Sequence, residues 1–126
     1  MLKLDLKYIL VIEVDRDIQE IIGRSLGNTA NWQVISTNSI AQGFTLIQAH
    51  KLDVILLEAS LINQCKIDIW QQLQINACNQ SIPIVFMAAR IRPIDRLQFK
   101  QLGAAEAIAK PFAPQDLVKA ISKILK

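Results

Sequence analysis

The chain has 126 residues, 52% hydrophobic and 20% charged, the size and apolar content of one globular domain, which excludes a disordered tail. Its net charge of +3 and pI near 9.0 would suit an acidic partner. Lys and Arg nevertheless form no dense patch interleaved with aromatics, so direct nucleic-acid binding is not expected.

The opening MLKLDLKYILVIEVD mixes charges with apolar residues, and its longest uncharged stretch, Tyr8 to Ile12, is too short for a signal peptide or a membrane span. A cytoplasmic chain without membrane contact is expected. YILVIE (8–13) reads as a first strand, after which Ile18, Ile21, Ile22 and Leu26 share one helical face, with Asp15 or Asp17 available as its cap. WQVIS (32–36) is a second strand and 39–49 a second helix, with His50 at its end or on the surface. DVILLE (53–58) is a third strand, and ASLINQCKIDIW leads through a loop into a helix over 67–77. Cys65 and Cys78 lack CxxC spacing and a neighbouring His, so both read as plain thiols. IPIVFMA (82–88) is a fourth strand, and a helix over 93–102 is opened by Pro93 and closed by Gly103. AEAIA (105–109) is a fifth strand, and Leu117, Val118, Ile121, Ile124 and Leu125 form the apolar face of a last helix that begins near Pro114. No repeat, linker or like-charge block interrupts this order, which predicts one domain over 1–126 with its core in 8–125.

Strands that are apolar throughout are buried on both faces, as in a parallel sheet between two helix layers. The expected fold is therefore a doubly wound, three-layer α/β domain around a five-stranded parallel sheet. In such sheets chemistry gathers at the carboxyl ends of the strands, beside the point where strand order reverses. The first strand delivers Glu13, Val14 and Asp15 to that rim, the third Glu58, the fourth Ala88, and the fifth Lys110, Pro111 and Phe112. On the plainest reading Glu58 leaves the core there without deep burial, and the acids only cap the helices that follow.

Four segments, ILVIEVDRD (9–17), DVILLE (53–58), IPIVFMAAR (82–90) and LGAAEAIAKPF (102–112), occur in an order and at separations that resemble the CheY-like receiver domains of two-component response regulators. The resemblance implies a flavodoxin-like sheet of strand order 2-1-3-4-5. It also implies a phosphorelay role, in which a histidine kinase phosphorylates an aspartate held with Mg²⁺ by an acidic pair. By that resemblance Glu58 occupies the phosphoacceptor position, and Glu13 and Val14 that of the pair, with Asp15 beside them. Lys110 and Pro111 belong to the KPF motif, Ala88 replaces the switch hydroxyl, and Ala107 replaces the switch aromatic.

These departures carry physical consequences. Val14 sets hydrocarbon where Mg²⁺ needs an oxygen ligand, so weak or absent metal binding is expected. Glu58 is a methylene longer than aspartate and displaces the attacking oxygen by about 1 Å, enough to cost on the order of a hundredfold. No catalytic residue and no metal ligand are assigned, and no cofactor is expected; the chain reads as a non-enzymatic pseudo-receiver. Two unpaired carboxylates about 5 Å apart would repel by about 3 kcal/mol at an effective dielectric of about 20, which favours Lys110 between Glu13 and Glu58, or a raised pKa for one of them. The resemblance further implies protein partners (a histidine kinase, an output domain or another receiver) bound through the fourth helix, fifth strand and fifth helix. Arg92, Arg96, Lys100, Lys119 and Lys123 are exposed candidates on that face, and a homodimer is compatible with it. Phosphorylation or another ligand at the same pocket is the alternative, and a flavodoxin-like cofactor binder a more distant one. Ile62 and Lys66 stand where the family commonly has Pro and Gly, which predicts a different loop path. Leu61, Ile62, Ile67 and Trp70 either line an apolar patch there or pack on the neighbouring helix, packing being the preferred reading.

Overall fold

A computed structural model describes residues 6–29 and 31–125; the first five residues of the opening segment, Ala30 and Lys126 lie outside the described residues. The strands are β1 (Lys7–Ile12), β2 (Trp32–Thr37), β3 (Val54–Glu58), β4 (Ile84–Ala88) and β5 (Glu106–Ala109). They form one five-stranded sheet of order β2-β1-β3-β4-β5, and every neighbouring pair is parallel. The helices are α1 (Arg16–Gly27), α2 (Ile40–Ala49), α3 (Ser60–Gln64), α4 (Ile67–Asn79), α5 (Pro93–Gln101) and α6 (Pro114–Ile124).

Alternation along the central strands divides the core into two. Leu10, Ile12, Ile55, Leu57, Ile84 and Phe86 point to one face, where Ile40 and Ile47 of α2 and Trp70, Leu73 and Ala77 of α4 cover them. Ile9, Val11, Val54, Leu56, Val85 and Met87 point to the other, against Ile22 and Leu26 of α1 and Leu117 and Ile121 of α6. Phe86 meets Trp70 edge-on at 6.0 Å and Phe99 of α5 at 5.3 Å. Both faces of the sheet are thus hydrophobic, which is why β1, β3 and β4 read as unbroken apolar runs.

Local chemistry sets the helix ends. The Asp15 carboxylate accepts from the amides of Asp17 and Ile18 and caps α1, and the Ser39 hydroxyl accepts from Gln42 to cap α2. Pro93 and Pro114 occupy first-turn positions of α5 and α6, and Gly103 leaves α5 with φ of +98°, a region that favours glycine. His50 ends α2, and Cys65 and Cys78 are free thiols.

Two sequence expectations change, the loop after β3 and the shallow placing of Glu58, while the packing reading of Leu61, Ile62 and Trp70 holds. The segment after β3, read as a loop, contains the short helix α3, because the Glu58 carboxylate takes the Ser60 amide at 2.8 Å and Leu61 and Ile62 turn into the core. Lys66 has ordinary extended backbone, φ −67° and ψ 140°, so no glycine is needed at that position. Leu61, Ile62 and Trp70 are buried in packing, and only Ile67, 63% exposed, faces solvent. Glu58 itself, expected to escape deep burial, is 9% exposed because the rim folds over it. Among the described residues no helix is long and apolar enough to cross a membrane.

Candidate functional site

Parallel pairing brings the ends of β1, β3 and β4 to one edge: Ile12 is level with Leu57, and Glu58 with Met87. Lys110 leaves β5 one residue past the Ala88–Ala109 pair, and its amide donates to the Ala88 carbonyl at 2.8 Å. Residues 97 positions apart therefore meet. Lys110 Nζ lies 2.8 Å from Glu13 Oε1 and 2.5 Å from Glu58 Oε1. The Glu13 and Glu58 side chains keep 3% and 12% of their exposure and that of Lys110 15%, so solvent screens these bonds little.

The other oxygens of both carboxylates are also engaged. Glu58 Oε2 accepts from the Ser60 amide, and Glu13 Oε2 from the Asp15 amide at 3.2 Å. Burial pushes the Glu58 carboxyl up, but the Lys110 ammonium and the Ser60 hydroxyl and amide outweigh it and hold the group below its ordinary value of 4.5. Burial likewise pushes Lys110 down, and its bonds to Glu13 and Glu58 more than offset this, leaving it above 10.5. The lysine thus lies between the carboxylates, and the carboxyl of Glu58 is lowered rather than raised.

Around this triad a cleft of about 780 Å³ opens at the carboxyl end of the sheet. Glu13, Val14, Asp15, Glu58, Ala88 and Lys110 all line it. Val14 is 56% exposed at its mouth. The Asp15 carboxylate is spent on capping α1. Ala107 does not reach the cleft: one pair short of the rim, level with Phe86, it borders a separate cavity of about 270 Å³ with Arg96, Phe99 and Lys100. Pro111, after a cis Lys110–Pro111 bond, lines an apolar groove of about 410 Å³ with Ile18, Ile21 and Phe112.

Sequence reading missed several residues. Ser60 anchors Glu58, and Asn63, Gln64, Asp95, Gln98 and Phe99 complete the cleft wall. Asp95 grips Arg92 through its amide and guanidinium, and those bonds draw its pKa down to about 2. The Arg92-to-Asp95 spacing at a helix start was the available signal. Behind the rim, Gln19 Nε2 donates to the Glu13 and Thr37 carbonyls, and the Thr37 hydroxyl donates to Gln42, tying β1 and β2 to α1 and α2. Nothing local in the sequence marks that network.

The donors do not fit a hard divalent cation. Such an ion wants several oxygens in octahedral array, whereas here Lys110 already occupies the facing oxygens of Glu13 and Glu58, and Val14 offers hydrocarbon. Among the described residues no cluster of three His, Cys, Asp or Glu side chains is arranged to hold a metal.

A sequence model of the response regulator receiver domain matches residues 9–122. The phosphate regulon transcriptional regulatory protein PhoB of Pseudomonas aeruginosa is 28% identical over 120 residues, 95% of this chain and 52% of that protein. PhoB of Escherichia coli is 27% identical over 118 residues, 94% of this chain and 51% of that protein. The chain spans about half the length of these curated relatives. Among solved structures, chemotaxis response regulator CheY4 of Vibrio cholerae superposes with a TM-score of 0.81 at 19% identity, covering 96% of this chain and all of that one (100%). The signal receiver domain of NarL from Mycobacterium tuberculosis gives 0.81 at 21% identity, covering 96% and 97%. Both structural likenesses speak to the fold.

Proposed function

This chain belongs to the family of response regulator receiver domains, and we propose that within it the chain is a cytoplasmic pseudo-receiver, signalling by protein contact without phosphoryl transfer. One observation carries the reading: the Lys110 ammonium is bonded to both Glu13 and Glu58, so the cation that would meet an incoming phosphoryl group is already neutralised by the protein's own carboxylates. Phosphoryl transfer is mostly positioning and charge neutralisation, so its support is lost when the lysine is engaged, the second acid is Val14 and the hydroxyl is replaced by Ala88. Glu58 does not reproduce a phosphorylated state, because a phosphoryl group brings about two charges and three acceptor oxygens where glutamate brings one and two.

The output face of the proposal is α5, β5 and α6. Arg92, Arg96, Lys100, Lys119 and Lys123 are exposed there; Arg92 pairs with Asp95 and Arg96 lies 3.6 Å from Glu106. That leaves Lys100, Lys119 and Lys123 to meet an acidic partner such as a kinase, an output domain or another receiver. Incubation with acetyl phosphate or beryllofluoride and Mg²⁺, followed by intact-mass measurement, tests the inert site. The expected result is an unchanged mass, and a stable adduct on Glu58 would overturn the reading.

A further inference from the structure

Charge is unevenly distributed over this molecule. A fifth of the residues are charged, yet α2 contains none and α4 only Asp68. The two helices lie side by side on one face of the sheet, brought close at Gly43, where an added Cβ would stand 3.5 Å from Leu73. Their outward surfaces are Ala41, Thr45 and Gln48 on α2, and Gln71 with Ile67 and Ile75 on α4. Ile67 and Ile75, 63% and 58% exposed, are the two most exposed large hydrophobic side chains among the described residues. They stand eight residues apart with Gln71 midway, one stripe along the helix. A surface depleted of charge at its centre, with aliphatic side chains left in water, has the composition of an interface core.

We propose that this α2–α4 face pairs with the same face of a second copy of the chain about a two-fold axis. Two features select that occupant. A face with no charge at its centre brings no like charges together in its own image. The ends of the face are also complementary under the two-fold. Asp68 stands on the outward side in the first turn of α4, and Lys51 lies exposed just beyond α2 at the opposite end. A two-fold axis lying in the plane of the face, perpendicular to the line from Asp68 to Lys51, crosses the helices of the two copies obliquely in opposed directions and sets each Asp68 toward the other copy's Lys51. The pairing leaves the proposed output face on α5, β5 and α6 free, and it does not depend on the state of the Glu13–Lys110–Glu58 triad.

Sedimentation equilibrium of the whole chain in reducing buffer is the test, with thermal melting to confirm that each variant folds. The wild type dimerises reversibly, Ile75→Glu raises the dissociation constant at least about tenfold, and Leu97→Glu, a matched change on exposed α5, leaves it unchanged. Asp68→Lys weakens association and the double variant Asp68→Lys with Lys51→Asp recovers it. Alkylation of Cys78, exposed on α4 three residues past Ile75, slows as protein concentration rises. A monomer at all concentrations up to about 1 mM overturns the proposal. So does a dimer lost in Leu97→Glu but kept in Ile75→Glu, or an Ile75→Glu variant that still self-associates and instead loses a different protein partner.

Discussion

Lys110 is the residue on which the site turns. Its ammonium separates two buried carboxylates, and removing it while they stay leaves them facing each other unpaired. Lys110→Met, which keeps the aliphatic stem, is expected to cost about 2–3 kcal/mol at neutral pH, less than a fully buried pair because the lysine is partly exposed. The pH dependence follows from the directions of the shifts. Glu58 titrates below its ordinary value in the fold, so its contribution is present above pH 4.5 and is lost as pH falls through the lowered value. Lys110 titrates above its ordinary value, so its contribution is full below pH 10.5 and is lost only as pH rises through the raised value. The gap between wild type and Lys110→Met therefore narrows toward acid. Urea unfolding at neutral pH and below the Glu58 titration measures it, and an equal loss at both would sink the pairing argument. Reversion tests the chemistry from the other side. Glu58→Asp alone is expected to remain inert to acetyl phosphate, whereas Val14→Asp, Glu58→Asp and Ala88→Thr together restore an oxygen ligand, the shorter nucleophile and a hydroxyl, and gain Mg²⁺-dependent phosphorylation seen as a mass increase.

At the scale of elements, helix ends hold the rim in place. Asp15 directs its carboxylate into the first turn of α1 while its amide bonds Glu13, so the cap also orients an acid of the triad. Asp15→Ala is expected to cost about 1 kcal/mol by chemical denaturation, and Asp15→Asn, which keeps the capping oxygen, far less. The exit from α5 is more demanding. Gly103 holds φ of +98°, and a Cβ there would stand 2.6 Å from Gln74 Nε2, the group that donates to the Leu102 carbonyl. Gly103→Ala should therefore lose about 1–3 kcal/mol, from backbone strain and displacement of that bond, read as a drop in melting temperature. Much at this scale was legible: the α1 cap, the prolines opening α5 and α6 and the closing glycine are local devices with local signatures. The helix α3 was not, because five residues give too short a period to read and its direction is set by the Glu58–Ser60 bond and by burial of Leu61 and Ile62.

Across the whole molecule, the sheet divides two hydrophobic cores that share its central strands. Phe86, fully buried on β4, touches Trp70 of α4 and Phe99 of α5, so one ring couples the sheet to both helices. Phe86→Ala is expected to destabilise the fold by about 3–5 kcal/mol and to change the emission of Trp70, whereas Ile94→Ala, on exposed α5, is nearly silent. The same architecture spaces the surfaces apart. The triad sits at the carboxyl edge, the basic residues flank β5 at one end of the strand order, and the charge-poor helices α2 and α4 cover one side, so one small domain has room for separate contacts.

The sequence by itself determined the alternation of strands and helices, the burial of both sheet faces and the residue types available at the rim, since side-chain period, capping and turn chemistry act over a few neighbours. Only the tertiary structure decided that Lys110 bonds both Glu13 and Glu58, rather than one carboxyl taking a raised pKa, that Ala107 faces a different cavity, and that α2 and α4 lie side by side. Those outcomes depend on strand order and register, which bring together residues tens of positions apart in the chain, and no local pattern encodes such distances.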